Sequence, residues 1–299
     1  MSYLLHLIIY LDIYTIVALS LNLVVGYCGL MTLAHAGYFA VGSYTYAIVT
    51  LKFGLGFLPA AVIGFGIAAV LSLATSIPSW RFKGDFFVLV SLAVQALLFS
   101  IFHNWSTTGT ESITWANLTN GPLGLSGIPK PAIASIKFDT ICYIAGLSLA
   151  VTGCCVFISW RLISSPWGRL LKSMRDDELA TRGLGKHVRV AKLQAFAIAC
   201  GMVSLAGTIY AGYVSYIDPS IASLDESILM LCMVIVGGVG NFRGPIVGAL
   251  VLLVIPEALR FAHIPDGAAA NVRLLAYGLL LILMMHFRPQ GIAGKYRLE

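Results

Sequence analysis

The stretch RLLKSMRDDELATRGLGKHVRV, residues 169–190, is the most densely charged part of a chain that is otherwise apolar. Residues 161–192 hold eight of the 19 basic residues and three of the 13 acidic ones. The 299-residue chain is 59% hydrophobic and only 11% charged. A soluble domain carries roughly 25% charged residues, so this chain has too few charges to cover a water-facing surface. The composition predicts a membrane protein with this island as its main polar segment. A net charge of +6 does not point to nucleic acid. The bases sit between long apolar runs, as they do in loops on the cytoplasmic face of membrane spans.

On either side of the island lie runs long enough to cross a bilayer, which takes about 20 apolar residues. They fall at 4–25, 59–77, 86–103, 139–160, 193–214 and 271–287. Two more apolar regions, 26–50 and 227–260, are cut by glycine, and the second is long enough for two short helices around GGVGNFRGP. The expected fold is an all-α polytopic membrane protein with about nine spans (eight to ten), some of them short or discontinuous. The N-terminal stretch MSYLLHLIIYLDIY has no Lys or Arg ahead of its apolar run and reads as a retained span rather than a signal peptide. With the island in the cytoplasm, 14 of the 19 bases fall on that side and 5 on the other, as the positive-inside rule requires. That orientation puts the C-terminus in the cytoplasm. Residues 104–138, rich in Gly, Pro, Ser, Thr and Asn, then form an outer loop with short elements and no domain of their own.

Within the island, residues 169–182 contain no Gly or Pro and read as one short amphipathic helix. Leu170, Leu171 and Met174 share a face, and Glu178–Arg182 and Lys172–Asp176 stand as i,i+4 pairs. Gly183 and Gly185 end the helix. Two readings compete: a helix lying on anionic lipid, or one that docks on a cytoplasmic partner. The acidic run Asp176-Asp177-Glu178 favours the partner, because anionic lipid repels it.

Elsewhere the polar residues are isolated. Gly26, Gly29, Gly37 and Gly42 imply either close helix packing or a broken helix lining a path. Thr32, His35 and Ser43 lie in the same segment. Asp12, in the first span, needs a partner or water, with Tyr14 or Asn22 as candidate mates. VGGVGNFRGP lacks the Lys-Ser/Thr of a phosphate loop and reads as a turn on the island side, carrying Gly240, Arg243 and Gly244. Pro245 and Pro256 are placed to bound a short helix. The six cysteines lie in or beside apolar runs without a C-x-x-C, so neither zinc nor a disulfide framework is expected. The scattered histidines form no catalytic or metal-spaced cluster, and the absence of a Walker motif excludes ATP hydrolysis by this chain.

SMRDDELATRGLG resembles the cytoplasmic loop of branched-chain amino-acid ABC transporter permeases of the LivM type. Arg175, Asp176, Asp177, Glu178, Ala180 and Gly185 match the loop that meets the ATPase in that family. GYCGLMTLAHAGYFAVGSYTYAI, RFKGDFFVLVSLA, LTNGPLGLSGIPKP and VGGVGNFRGPIVGALVLLVIPEALR resemble further family signatures, in family order, from about residue 21 to 290. One departure is Asn120, which stands where the family has the first glycine of Leu-Thr-Gly-Gly.

The resemblance implies one permease domain over residues 1–299, with a coupling loop at about 161–192, in the bacterial inner membrane. It implies partners: two cytoplasmic ATPase subunits that hold ATP and Mg²⁺, a homologous second permease, a periplasmic binding protein and membrane lipid. This chain itself would bind no cofactor. Asp12, Asn22, Gly26, Gly29, Thr32, His35 and Gly42 are candidates for the translocation pathway, and the island helix would act as a rigid lever. Uptake of urea or short amides by a similar permease, and a gradient-driven carrier using Asp12 or His35, are the competing functions.

Overall fold

The computed structural model describes residues 2–82, 84–106, 117–133, 136–137, 141–261, 266–288 and 290–293. Twelve α-helices and four two-residue strands are found among them. Nine helices follow the apolar runs. The first is α1 (Ser2–Asn22), which continues into a π-helical turn at Leu23–Tyr27. The others are α2 (His35–Phe53), α3 (Phe57–Leu71) with its extension α4 (Leu73–Ser76), α5 (Asp85–Asn104) and α6 (Ile141–Ser164). Past the island come α9 (Val188–Val214), α10 (Leu224–Gly237), α11 (Gly244–Phe261) and α12 (Asp266–Phe287). Five segments among the described residues are long and apolar enough to span a membrane: Tyr3–Tyr27, Phe57–Trp80, Asp85–Asn104, Ile141–Ser164 and Val188–Val214.

Burial sorts these spans into layers. Those of α1 and α9 are 78% buried, whereas those of α3, α5 and α6 are only about one-third buried. The inner pair is therefore ringed by helices that turn apolar side chains such as Val62, Phe86 and Leu89 outward. α2 belongs to the inner layer, with 15 of its 19 residues buried. Surrounded by protein, it can carry Ser43, Thr45 and three tyrosines without meeting lipid. It packs closely on α9: a Cβ at Gly42 would lie 2.6 Å from the Ser204 Cα, and Ser43 Oγ donates to the Gly207 carbonyl at 3.0 Å. Gly42 thus serves packing within an unbroken helix, and the break in this region comes earlier, at residues 29–34.

α5 sets the depth at which two other helices begin. At 1.5 Å per residue its 20 residues span about 30 Å, and Gln95 stands at the midpoint. Gln95 Oε1 accepts from Gly37 N at 2.8 Å, and its Nε2 donates to the carbonyls of Ala222 and Ser223. Ser91 Oγ accepts from Leu33 N, and Ser227 Oγ from Ala36 N. The starts of α2 and α10 therefore meet halfway along α5, reached by irregular backbone at 29–34 and by a 3-10 turn at Pro219–Ala222. Helices that start at mid-depth expose backbone groups, and these side chains satisfy them.

On the face away from the island, β1 (Leu125–Ser126) pairs antiparallel with β4 (Tyr216–Ile217), and β2 (Ala132–Ile133) pairs with β3 (Ile136–Lys137). The described parts of the 104–138 loop are these short elements, held down by Tyr46 Oη donating to the Pro129 carbonyl at 2.9 Å. Asn120 has φ +57° and is followed by Gly121 at φ +53°. Asn is among the few non-glycine residues that tolerate the left-handed region, which accounts for its place at a glycine position of the signature.

Two expectations change. The island is not one helix: α7 (Pro166–Asp176) and α8 (Glu178–Gly183) meet at Asp177, which is extended (φ −152°, ψ 107°). Asp177 Oδ1 accepts from the amides of Leu179 and Ala180 at 2.8 and 3.0 Å. An aspartate that caps a new helix is worth more there than inside a continuous one. Nor does Pro256 end α11, which runs on to Phe261; a proline removes one backbone bond, and the rest of the helix holds.

Candidate coupling site

Three segments far apart in sequence converge where the island meets the membrane helices. Asn22, 1% exposed, grips the 238–243 turn with both ends of its amide. Its Nδ2 donates to the Asn241 carbonyl and its Oδ1 accepts from Gly240 N, both at 3.0 Å. Arg175, from the last turn of α7, donates through Nη1 to the Gly26 carbonyl at 2.7 Å. That carbonyl lies in the π-helical turn, where the altered hydrogen-bond pattern makes a carbonyl available to a side chain.

The fit leaves no room for side chains. A Cβ on Gly26 would lie 2.6 Å from Gly240 N, and one on Gly29 2.7 Å from Arg175 Cγ. Gly29 and Gly240 also take φ values of +71° and +75°, where other residues are strained. The ammonium of Lys172 sits 5.4 Å from the Tyr27 ring centre, and Arg175 Nε also pairs with Asp176 at 3.1 Å. Below this clamp a cavity of about 700 Å³ is lined by Tyr27, Trp160, Lys172, Arg175, Gly240 and Arg243.

A second tie runs through Glu178. Its carboxylate bridges Arg182 at 3.4 Å and Lys192 at 3.2 Å, and the Lys192 side chain is only 4% exposed. Lys192 Nζ also donates to the Ser79 carbonyl at 3.3 Å. Glu178 therefore faces inward and joins α8 to the base of α9 and to the end of the third span. Leu179, Ala180 and the run 182–187 are left exposed at the tip, and Leu179 and Leu184 are the large apolar groups among them.

The remaining candidates disperse. Asp12 accepts a hydrogen bond from Ser148 Oγ on α6 at 2.7 Å, so its mate is neither Tyr14 nor Asn22. His35, 2% exposed, pairs through Nε2 with Ser20 Oγ at 2.9 Å and fastens the start of α2 to α1. Thr32 Oγ1 accepts from Ala34 N within its own turn. Gly244 packs against the carbonyl of Gly237. Lys83, Lys295 and Arg297, counted in the charge balance, lie outside the described residues.

Sequence reading missed Gln95 and Lys192. Gln95 carried a signal, as the amide within a mostly apolar span, whereas Lys192 stands among the bases of the island and nothing local marks it as the one that turns inward. Of the expected i,i+4 pairs, Glu178–Arg182 forms; Asp176 instead pairs with its neighbour Arg175, while Lys172 turns to Tyr27.

Discontinuous helices meeting at mid-depth, and a polar loop clamped to their ends, define a polytopic membrane protein built on the plan of a transporter. Residues 3–285 match the family model described as "Branched-chain amino acid transport system / permease component", and the chain belongs to that family. It is 31% identical to the high-affinity branched-chain amino acid transport system permease protein LivM of Escherichia coli K12, over 94% of this chain and 67% of that protein. A probable branched-chain amino acid transport permease protein LivM from Methanocaldococcus jannaschii is 24% identical over 96% of this chain and 92% of its own length. An autoinducer 2 import system permease protein, LsrC of Salmonella typhimurium, is 26% identical over 48% of this chain and 41% of its own.

Proposed function

We propose that this chain is the membrane-spanning permease subunit of an ABC importer in the bacterial inner membrane, and that it forms the path for branched-chain or other small amino acids. The island lies in the cytoplasm, as does the C-terminal tail; Ile292 N donates to the Val236 carbonyl on the island side, which supports that placement. ATP and Mg²⁺ belong to two separate ATPase subunits. A second, homologous permease completes the path, and a periplasmic binding protein delivers the substrate.

The observation that carries this reading is the Arg175–Gly26 hydrogen bond at 2.7 Å. Through it a push on α7 and α8 reaches α1 directly, and reaches α10 and α11 through the Gly240 turn. The exposed Leu179 and Leu184 form the surface that enters the ATPase. Asp12 and His35, the groups a gradient-driven carrier would need, are both engaged in helix-to-helix hydrogen bonds, which favours ATP as the energy source.

The test is purification of the complex with Leu179→Ser and Leu184→Ser together. Exposed substitutions change the stability of the permease by no more than about 0.5 kcal/mol, so it should still insert, while the ATPase should no longer co-purify and leucine uptake in proteoliposomes should be lost. Full ATPase recovery with normal uptake would remove the tip from the docking surface.

A further inference from the structure

α1 carries Tyr3, His6, Tyr10 and Tyr14 at spacings of three and four, so they form one stripe along the helix. The stripe faces α9 and the last three helices. His6 Nδ1 meets the Tyr213 hydroxyl, and Tyr3 donates to Glu257 on α11. The Tyr10 ring stands edge-on to Tyr213 with centres 5.7 Å apart, and 6.2 Å from Tyr14. Tyr14 in turn lies within electrostatic reach of Glu226, Tyr210 and Tyr277. All these rings except the buried Tyr277 are partly open to the surroundings. They form a strip of rings that runs from the face away from the island towards the start of α10.

Glu226 sits at the inner end of that strip. α10 begins where Gln95 binds Ala222 and Ser223, halfway along α5, so the carboxylate lies at membrane depth. Its ordinary structural role would be to close a capping box. In that motif Ser223 Oγ takes the Glu226 amide while the glutamate reaches back to Ser223 N. The first half is present at 3.4 Å, but Ser223 N already donates to the Ser220 carbonyl at 2.9 Å. The carboxylate has Tyr14, Tyr210 and the adjacent Asp225 within electrostatic reach, and among the described residues it makes no hydrogen bond or ion pair. A half-buried, unpaired carboxylate at this depth is costly and marks a site where something positive passes.

We propose that Glu226 is a substrate subsite that receives the ammonium group of the amino acid in transit, with the faces of Tyr10, Tyr14 and Tyr210 forming its walls. A carboxylate and π faces together suit an ammonium ion, and the partly exposed rings lead to it from the face away from the island. This assignment rests on the transport reading above and adds to it the chemical feature that is recognised.

The test uses the complete complex in proteoliposomes and follows leucine uptake together with ATP hydrolysis stimulated by the loaded binding protein. Glu226→Gln keeps the shape and removes the charge. Uptake per ATP should fall by at least about tenfold while stimulated hydrolysis persists, and Glu226→Asp should recover part of the loss. Tyr14→Leu, which removes the π face, should lower uptake. Unchanged uptake with Glu226→Gln would overturn the assignment, as would uptake and hydrolysis falling together, which would mark the residue as structural. Parent complex that takes up no amino acid would instead refute the transport reading.

Discussion

The clamp on the island side and the strip of rings that leads to Glu226 use polar groups in opposite ways. At the clamp, each functional group found is engaged: Asn22 uses both ends of its amide, Arg175 binds Gly26 and Asp176, and glycines bring the backbones into contact. Along the strip, rings stand partly open and Glu226 has no hydrogen-bond or ion-pair partner among the described residues. A saturated, close-packed junction moves as a unit and transmits displacement, whereas an unsaturated, open one is ready to bind. On the proposed function, the island side couples mechanically and the mid-depth region around Glu226 recognises substrate.

The strongest way to break that contrast is to wedge the clamp. Gly26→Val places methyl groups against Gly240 N and Asn22, where backbone cannot give way; overpacking of this kind costs about 1–3 kcal/mol or more. Uptake and stimulated hydrolysis should fall to background together, and thermal unfolding in detergent should shift downward. Parent-like uptake would show that the two backbones need not touch.

Lys192→Met tests the second tie with a smaller effect. Glu178 keeps Arg182, which is more exposed and screened by water, so a loss of several-fold in uptake is expected. Adding Glu178→Gln should recover part of it, since the uncompensated buried charge is then gone. A double-mutant cycle that shows no coupling energy between 178 and 192 would separate α8 from α9.

Smallest of all should be Asp12→Asn. The amide retains an acceptor for Ser148 Oγ at this buried site, and uptake driven by ATP should stay within about twofold of the parent across pH. A steep loss would restore Asp12 as a proton-coupling group.

How much of this was legible beforehand depends on the range of the interactions involved. Apolar runs such as 139–160 and 193–214 became α6 and α9 to within a few residues, because a spanning helix follows from local composition. The Glu178–Arg182 pair was equally legible, being one helical turn apart. The glycines at 26, 29 and 240 were recognisable as unusual, but not as members of one junction: Asn22 and Gly240 are separated by 218 positions, and no periodicity carries information that far. The same holds for Asp12, whose partner Ser148 lies 136 positions away. The island was read as one helix because Asp177 has no forbidden backbone geometry; only the competition between continuing and capping decides its conformation, and the cap wins.

The most direct test of the clamp's role is Arg175→Ala, assayed for ATPase co-purification, stimulated hydrolysis and uptake on a single preparation. Removing a charge-assisted hydrogen bond to a half-buried carbonyl costs about 1.5–3 kcal/mol, and the coupling lost with it corresponds to about 5–150-fold. The ATPase should still co-purify, through Leu179 and Leu184, while stimulation by the binding protein and uptake are both lost. Retention of parent-like stimulation and uptake would contradict the assignment of Arg175 as the link between the island and the membrane helices.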